Sequence, residues 1–177
     1  MLDNSSELRF NDPRKFGRIF VMRADGSERP LPWAHMGPEP LNGEFTVPAL
    51  QAALHGRSGL IKPLLLNQRL VAGLGNIYVD EALYRARIHP ERRANTLKQA
   101  EIRRLHEAIR AVLAAAVEGR GTTFSTYTDI EGRAGLYQGS LQVFQRAGEP
   151  CPRCGSPIVR LVVGGRGTHV CRRCQKA

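Results

Sequence analysis

The sequence predicts an α+β fold, with a helical middle, a C-terminal β-hairpin held together at its base, and a strand-forming stretch in front. Three observations carry this. All four cysteines lie between residues 151 and 174, as two C-x2-C pairs around the apolar run "PIVRLVV". Ile102, Leu105, Ile109, Val112, Leu113 and Ala116 recur at the spacing of one helix face. Residues 1–35 mix polar and apolar side chains between the turn signals "NDPRKFG" and "ADGSERP".

Residues 1–35 read as two or three β-strands, near "ELRF" and "FGRIFVMR". "PLPWAHMGPEPLNGEF" is rich in proline and glycine and reads as a connector. "VPALQAAL" then predicts a short helix. "GLIKPLLLNQRLVAG" predicts a second helix, with Pro63 tolerated in its first turn. "NIYVDEALYRARI" predicts a third, ended by His89-Pro90. Thr96 and Gln99 have the spacing of a capping box and open the long helix. "RGTTFSTYTDIEGRAGLYQG" reads as loop.

The cysteine spacing is that of a zinc site. Two intervening residues let both thiolates of a pair reach one ion from a tight turn, and Pro152 and Gly155 suit that turn. Four thiolates leave no open coordination position, so the expected Zn2+ is structural and is held by Cys151, Cys154, Cys171 and Cys174. A disulfide pair and a CxxC redox site are the alternatives. The start "MLDNSSELRF" lacks a basic stretch followed by an apolar one, so no secretion signal and no disulfide are expected, and redox CxxC motifs occur singly in βαβ settings. "THVC" reads as the returning strand, with "GGRG" as the turn between the strands. Arg166 at that tip is either a solvated charge or the point of contact with a partner.

Net charge favours a polyanion partner. Lys and Arg number 26 against 16 Asp and Glu, for +10. Arginine suits phosphate oxygens, although a GC-rich genome would also enrich it. Residues 151–177 hold six of these cations and no acid. No stretch approaches the roughly 18 apolar residues of a membrane span, so the protein is expected in the cytoplasm with no membrane partner. Within "LVAGLGNIYVDEAL", Gly73, Gly75 and Asn76 place Asn76 at a helix start. There it can cap the helix or help hold a phosphate.

"NDPRKFGR", "MGPEPL", "IKPLLLNQRLVAGLGNIYVDEALYRARIHP", "GTT" and "GEPCPRCG…GRGTHVCRRCQ" together resemble the formamidopyrimidine-DNA glycosylase family, in that family's order and across almost the whole chain. Endonuclease VIII shares the architecture but differs after "GN". The resemblance implies a helix–two-turns–helix domain, a C-terminal β-hairpin zinc finger and a remnant of an N-terminal β-sandwich. The implied domains are 1–45 (remnant and connector), 46–135 (helical) and 136–177 (finger).

It also implies base-excision repair. The family excises 8-oxoguanine and formamidopyrimidines from a flipped nucleotide, then cleaves the abasic site by β- and δ-elimination. By resemblance, Arg166 grips phosphates beside the lesion and takes part in δ-elimination. Asn76 holds a neighbouring phosphate, and Lys62 lies near the lesion. Arg14 and Phe16 fill the void left by the flipped base, and Lys15 touches phosphate. "TTFSTYTDIEGRAGLY" corresponds to a loop that caps the extruded base. The implied partner is double-stranded DNA carrying oxidised purines or abasic sites, bound by a monomer.

The family begins with a proline whose amine attacks the sugar, followed by a glutamate. This sequence begins "MLDNSS", and its earliest proline is Pro13. The expectation is a C-terminal part of the enzyme, gripping DNA without that nucleophile, in which residues 1–35 lack sheet partners and are only partly ordered. The rival reading is a non-catalytic, zinc-dependent DNA-binding module. A zinc ribbon of the transcription or translation machinery would need neither "LGN" nor "DPRKFG".

Overall fold

The computed structural model describes residues 7, 9, 10, 12, 15, 17–21, 23–25, 35–123 and 133–176. The chain divides into two compact units, Met1–His35 and Met36–Ala177. In the first unit the described residues form no strand, and Val21 and Ile19 are exposed. Strands were expected near 7–10 and 16–23, stretches of which Leu8, Phe16 and Met22 lie outside the described residues; a strand forms only where a neighbour completes its ladder.

Among its described residues the second unit has four α-helices, two short 3-10 turns and one hairpin. Helix α1 spans Val47–Leu54; the Thr46 hydroxyl caps it by accepting the Ala49 N–H, and Leu50 and Leu54 face the core. Helix α2 spans only Ile61–Leu65. The expected continuation to residue 73 does not form, because side chains there take over the backbone groups. Asn67 Oδ1 accepts the Arg69 N–H, and Gln68 Oε1 accepts the Gly73 N–H while its amide donates to the Leu74 carbonyl. Gly73 adopts φ 76°, and the chain turns twice between α2 and the next helix.

Helix α3 spans Asn76–Ala86 and ends at Arg87 in the left-handed region. Helix α4 spans Gln99–Glu118. Its start lies two residues beyond the expected box: Glu101 accepts the Lys98 N–H, while the Thr96 hydroxyl donates to the Arg93 carbonyl instead. Ile102, Leu105, Ile109, Val112, Leu113 and Ala116 are all buried against α1 and α3 in the main core.

Strands β1 (Val159–Val163) and β2 (Arg166–Val170) pair antiparallel, Val159 with Val170 and Val163 with Arg166. The turn is Gly164-Gly165 alone, both with positive φ (57° and 74°). Two glycines in succession suit the type I′ geometry of a two-residue hairpin. Arg166, expected mid-turn, is therefore the leading residue of β2. Gly164 also approaches Pro63 of α2, where an added Cβ would come within 2.7 Å of the proline ring.

Candidate nucleic-acid interface and metal centre

Helix α3 is the element on which the finger is assembled. Asn76, Asp80 and Tyr84 recur every four residues and so form one stripe. Each meets a different level of the finger. Asn76 Nδ2 donates to the Gly167 carbonyl at 2.9 Å, Asp80 Oδ2 accepts the His169 N–H at 2.8 Å, and the Tyr84 hydroxyl lies 3.3 Å from Cys151 Sγ. Arg153 stacks over the Tyr84 ring at 4.5 Å and donates to the Tyr84 carbonyl.

Behind the hairpin tip, Lys62 is fully buried and all three of its N–H donors are used. They go to Asp80 Oδ1 (2.6 Å), Thr168 Oγ1 (2.8 Å) and the Gly167 carbonyl (3.1 Å). Burial pushes its pKa below the ordinary 10.5, Asp80 opposes this, and the nearby charge of Arg166 adds to the lowering. The resemblance places Lys62 beside the lesion; the structure places its ammonium inside, supporting the tip. The Gly167 carbonyl thus receives two donors and anchors the backbone immediately after Arg166. The Arg166 side chain is exposed and makes no hydrogen bond or ion pair among the described residues.

Asn76 is the first residue of α3, and Gly75 occupies the cap position without a side-chain cap bond. The expected capping role is therefore not taken; the amide is spent on the hairpin. The N–H groups of Asn76, Ile77 and Tyr78, in the first turn, have no acceptor among the described residues, as expected at a helix start. A cavity of about 490 Å3 opens beside them, lined by Asn76, Phe144, Gln145, Arg160, Gly167 and His169. The His169 ring meets Phe144 edge-on, and its Nδ1 lies 3.4 Å from Asp80 without hydrogen-bond alignment. Lys15 is exposed with φ 58°. Arg14, Phe16 and residues 124–132 of the expected capping loop lie outside the described residues.

The metal centre forms at the other end of the hairpin. The sulfurs of Cys151, Cys154, Cys171 and Cys174 all lie within 4.8 Å of one another, with Cys151–Cys174 at 3.9 Å and Cys154–Cys171 at 3.5 Å. A tetrahedral Zn2+ with bonds of about 2.3 Å requires sulfur separations near 3.8 Å, so the donor set fits one ion. Gln175 braces it by accepting the Cys171 N–H and donating to the Ile88 carbonyl beyond α3. Glu81, on α3, is buried and accepts the N–H groups of Gln142, Val143 and Phe144, each at 2.9 Å, which pins the entry to the finger. Asp80, Glu81, Tyr84, Thr168 and Gln175 escaped the sequence reading. Two adjacent acids inside the otherwise apolar "YVDEAL" were the available signal.

Two turns between α2 and α3 and a four-cysteine finger riding on α3 define the helix–two-turns–helix, zinc-finger class of protein. Residues 36–128 match the formamidopyrimidine-DNA glycosylase H2TH domain, and residues 148–177 match the zinc finger found in FPG and IleRS. The chain belongs to the formamidopyrimidine-DNA glycosylase family. It is 57% identical over 174 residues to the formamidopyrimidine-DNA glycosylase of Symbiobacterium thermophilum, covering 98% of this chain and 57% of that one. It is 50% identical to that of Pelotomaculum thermopropionicum, covering 99% and 63%. The chain therefore spans roughly three-fifths of the length of these relatives.

Among solved structures, the MutM (Fpg) protein of Thermus thermophilus superposes with a TM-score of 0.85 at 49% identity, covering 93% of this chain and 62% of that one. The Lactococcus lactis Fpg in complex with abasic-site DNA superposes with a TM-score of 0.76 at 44% identity, covering 81% and 52%. No helix among the described residues is long and apolar enough to cross a membrane.

Proposed function

We propose that this chain supplies the damaged-DNA grip of a formamidopyrimidine-DNA glycosylase and AP lyase, acting in base-excision repair. The substrate is duplex DNA carrying 8-oxoguanine, formamidopyrimidines or an abasic site, with the damaged nucleotide turned out of the helix at a cost of a few kcal/mol. The observation that carries the reading is the Gly167 carbonyl. It joins the start of α3, through Asn76, to the strand that presents Arg166.

Phosphate is bound where two sources of positive potential converge. The free first-turn N–H groups of α3 and its dipole supply one. The exposed guanidinium of Arg166 supplies the other, able to fork onto phosphate oxygens. Arg166 also serves the δ-elimination step by holding the phosphate that leaves. Lys62 acts as a positioning residue, fixing the backbone behind Arg166. Arg14 and Phe16 fill the void opposite the orphaned base, and Lys15 contacts phosphate. The helical region 46–135 and the finger 136–177 work as two modules of one monomer in the bacterial cytoplasm.

The test is binding to an 8-oxoguanine:cytosine duplex over a range of salt. Because Arg166 is exposed, Arg166→Ala should leave the melting temperature unchanged. It should weaken binding and reduce the slope of log Kobs against log salt by about 0.9, one phosphate contact. An unchanged slope would remove the hairpin tip from the interface.

A further inference from the structure

At the base of the finger, opposite the Arg166 tip, Arg87, Arg153, Arg173 and Lys176 surround the rims of Cys154 and Cys174 in an open cavity of about 440 Å3. Local electrostatics accounts for part of this charge. A Zn2+ bound by four thiolates carries a net charge of about −2, which leaves a surplus of about +2 from the four side chains. The C-terminal end of α3 attracts one cation, but Arg153 already fills that place through the Tyr84 carbonyl. The side chains of Arg87, Arg173 and Lys176 remain exposed, with no hydrogen bond or ion pair among the described residues. Acids that could neutralise them are absent from residues 151–177, and Glu149, just before that stretch, is taken by Arg146.

The backbone that presents them is fixed. Arg87 occupies the left-handed C-cap of α3 (φ 61°), where glycine is the usual residue. An arginine there costs on the order of 1 kcal/mol. Lys176 is held by its bridge to Ile88, and the adjacent Gln175 side chain bonds the Ile88 carbonyl. Strand β2 separates this cluster from the tip by about 16 Å, five residues at roughly 3.3 Å each. A phosphate bound here is therefore not one held by Arg166.

We propose that the finger base is a second phosphodiester-binding site, through which Arg87, Arg173 and Lys176 engage nucleic-acid backbone beyond the lesion. The proposal rests on the nucleic-acid reading above. The experiment uses the full zinc-loaded chain and two abasic-site duplexes, of about ten and about forty base pairs, with the salt slope measured on each. Arg173→Ala/Lys176→Ala should lower the slope by about 1.8 on the long duplex and leave the short duplex unchanged.

Zinc content and melting temperature show whether the double variant keeps its finger. If it does not, Arg87→Gly decides, since glycine accepts the left-handed backbone and lies outside the finger; its expected loss is about 0.9 on the long duplex. Unchanged slopes on the long duplex would overturn the second site. Equal losses on both duplexes would also overturn it, by assigning these cations to the lesion grip. Failure of the unmodified chain to bind the short duplex would instead sink the damaged-DNA reading.

Discussion

Helices α3 and α4 share one apolar core, to which α3 gives Val79, Ala82, Leu83 and Ala86, yet only α3 also buries a polar stripe. The inward face of α4 is Ile102, Leu105, Ile109, Val112 and Leu113. Helix α3 buries Asp80 and Glu81 and aims Asn76 and Tyr84 at the finger. An apolar face is rewarded by area and tolerates small slides. A polar stripe is rewarded only in one register, because every missed partner leaves a buried group unsatisfied. So α4 contributes stability, and α3 sets where the finger stands. The finger's own apolar cluster is small: Tyr84, Val143, Cys151, Ile158 and Cys171, two of them metal ligands.

The largest effect should come from removing zinc. Structural zinc is worth about 10–16 kcal/mol to finger peptides, far more than so small a cluster supplies. With chelator, the amide resonances of residues 148–176 should collapse while the far-ultraviolet helical signal persists, because the helical core is a separate cluster. DNA affinity should vanish with the finger. Cooperative loss of the helices would break the comparison by showing that α3 and α4 depend on the finger.

Next come two substitutions of similar cost and different consequence. Leu105→Ala opens a cavity, costing about 2–5 kcal/mol. Asp80→Ala strands the Lys62 ammonium without its counter-charge, costing about 3–5 kcal/mol. At temperatures where both variants remain folded, Leu105→Ala should bind DNA as the unmodified chain does. Asp80→Ala should bind weakly and lose hydrogen-exchange protection at Thr168 and His169. Equal affinities would mean that α3 is only a scaffold.

The same contrast explains how much could be read from the sequence. Helix α4 was legible because its signal is periodic and local, and the cysteines were legible because metal geometry dictates their spacing. Helix α2 was read too long: apolar density continues through Leu70, Val71 and Leu74, which are buried, while Asn67 and Gln68 divert the backbone into turns. The α3 stripe was illegible because its partners are remote in sequence; Asn76 meets Gly167, and Lys62 meets Thr168. Asn76 was recognised as a helix start, but nothing local separates a cap from a tether. Lys62 was placed near the lesion by resemblance alone, and nothing local shows that Asp80 and Thr168 enclose its ammonium.

The smallest expected effect lies with Glu81. Burial pushes its carboxyl above the ordinary 4.5, and the N–H groups of Phe144, Val143 and Gln142 only partly oppose that. The folded protein therefore holds this proton more tightly than the unfolded chain does. The resulting stabilisation is complete below pH 4.5 and is lost as pH rises through the folded value. Unfolding free energy should decline with rising pH just above 4.5, by less than the limit of about 1.4 kcal/mol per pH unit for one proton. Glu81→Gln should remove that slope while lowering stability at neutral pH, since its amide turns a donor toward the Gln142 or Val143 N–H. The change in slope, not in level, is the diagnostic: denaturant titrations at several pH values with identical slopes for both proteins would mean that Glu81 enters the folded state without holding its proton.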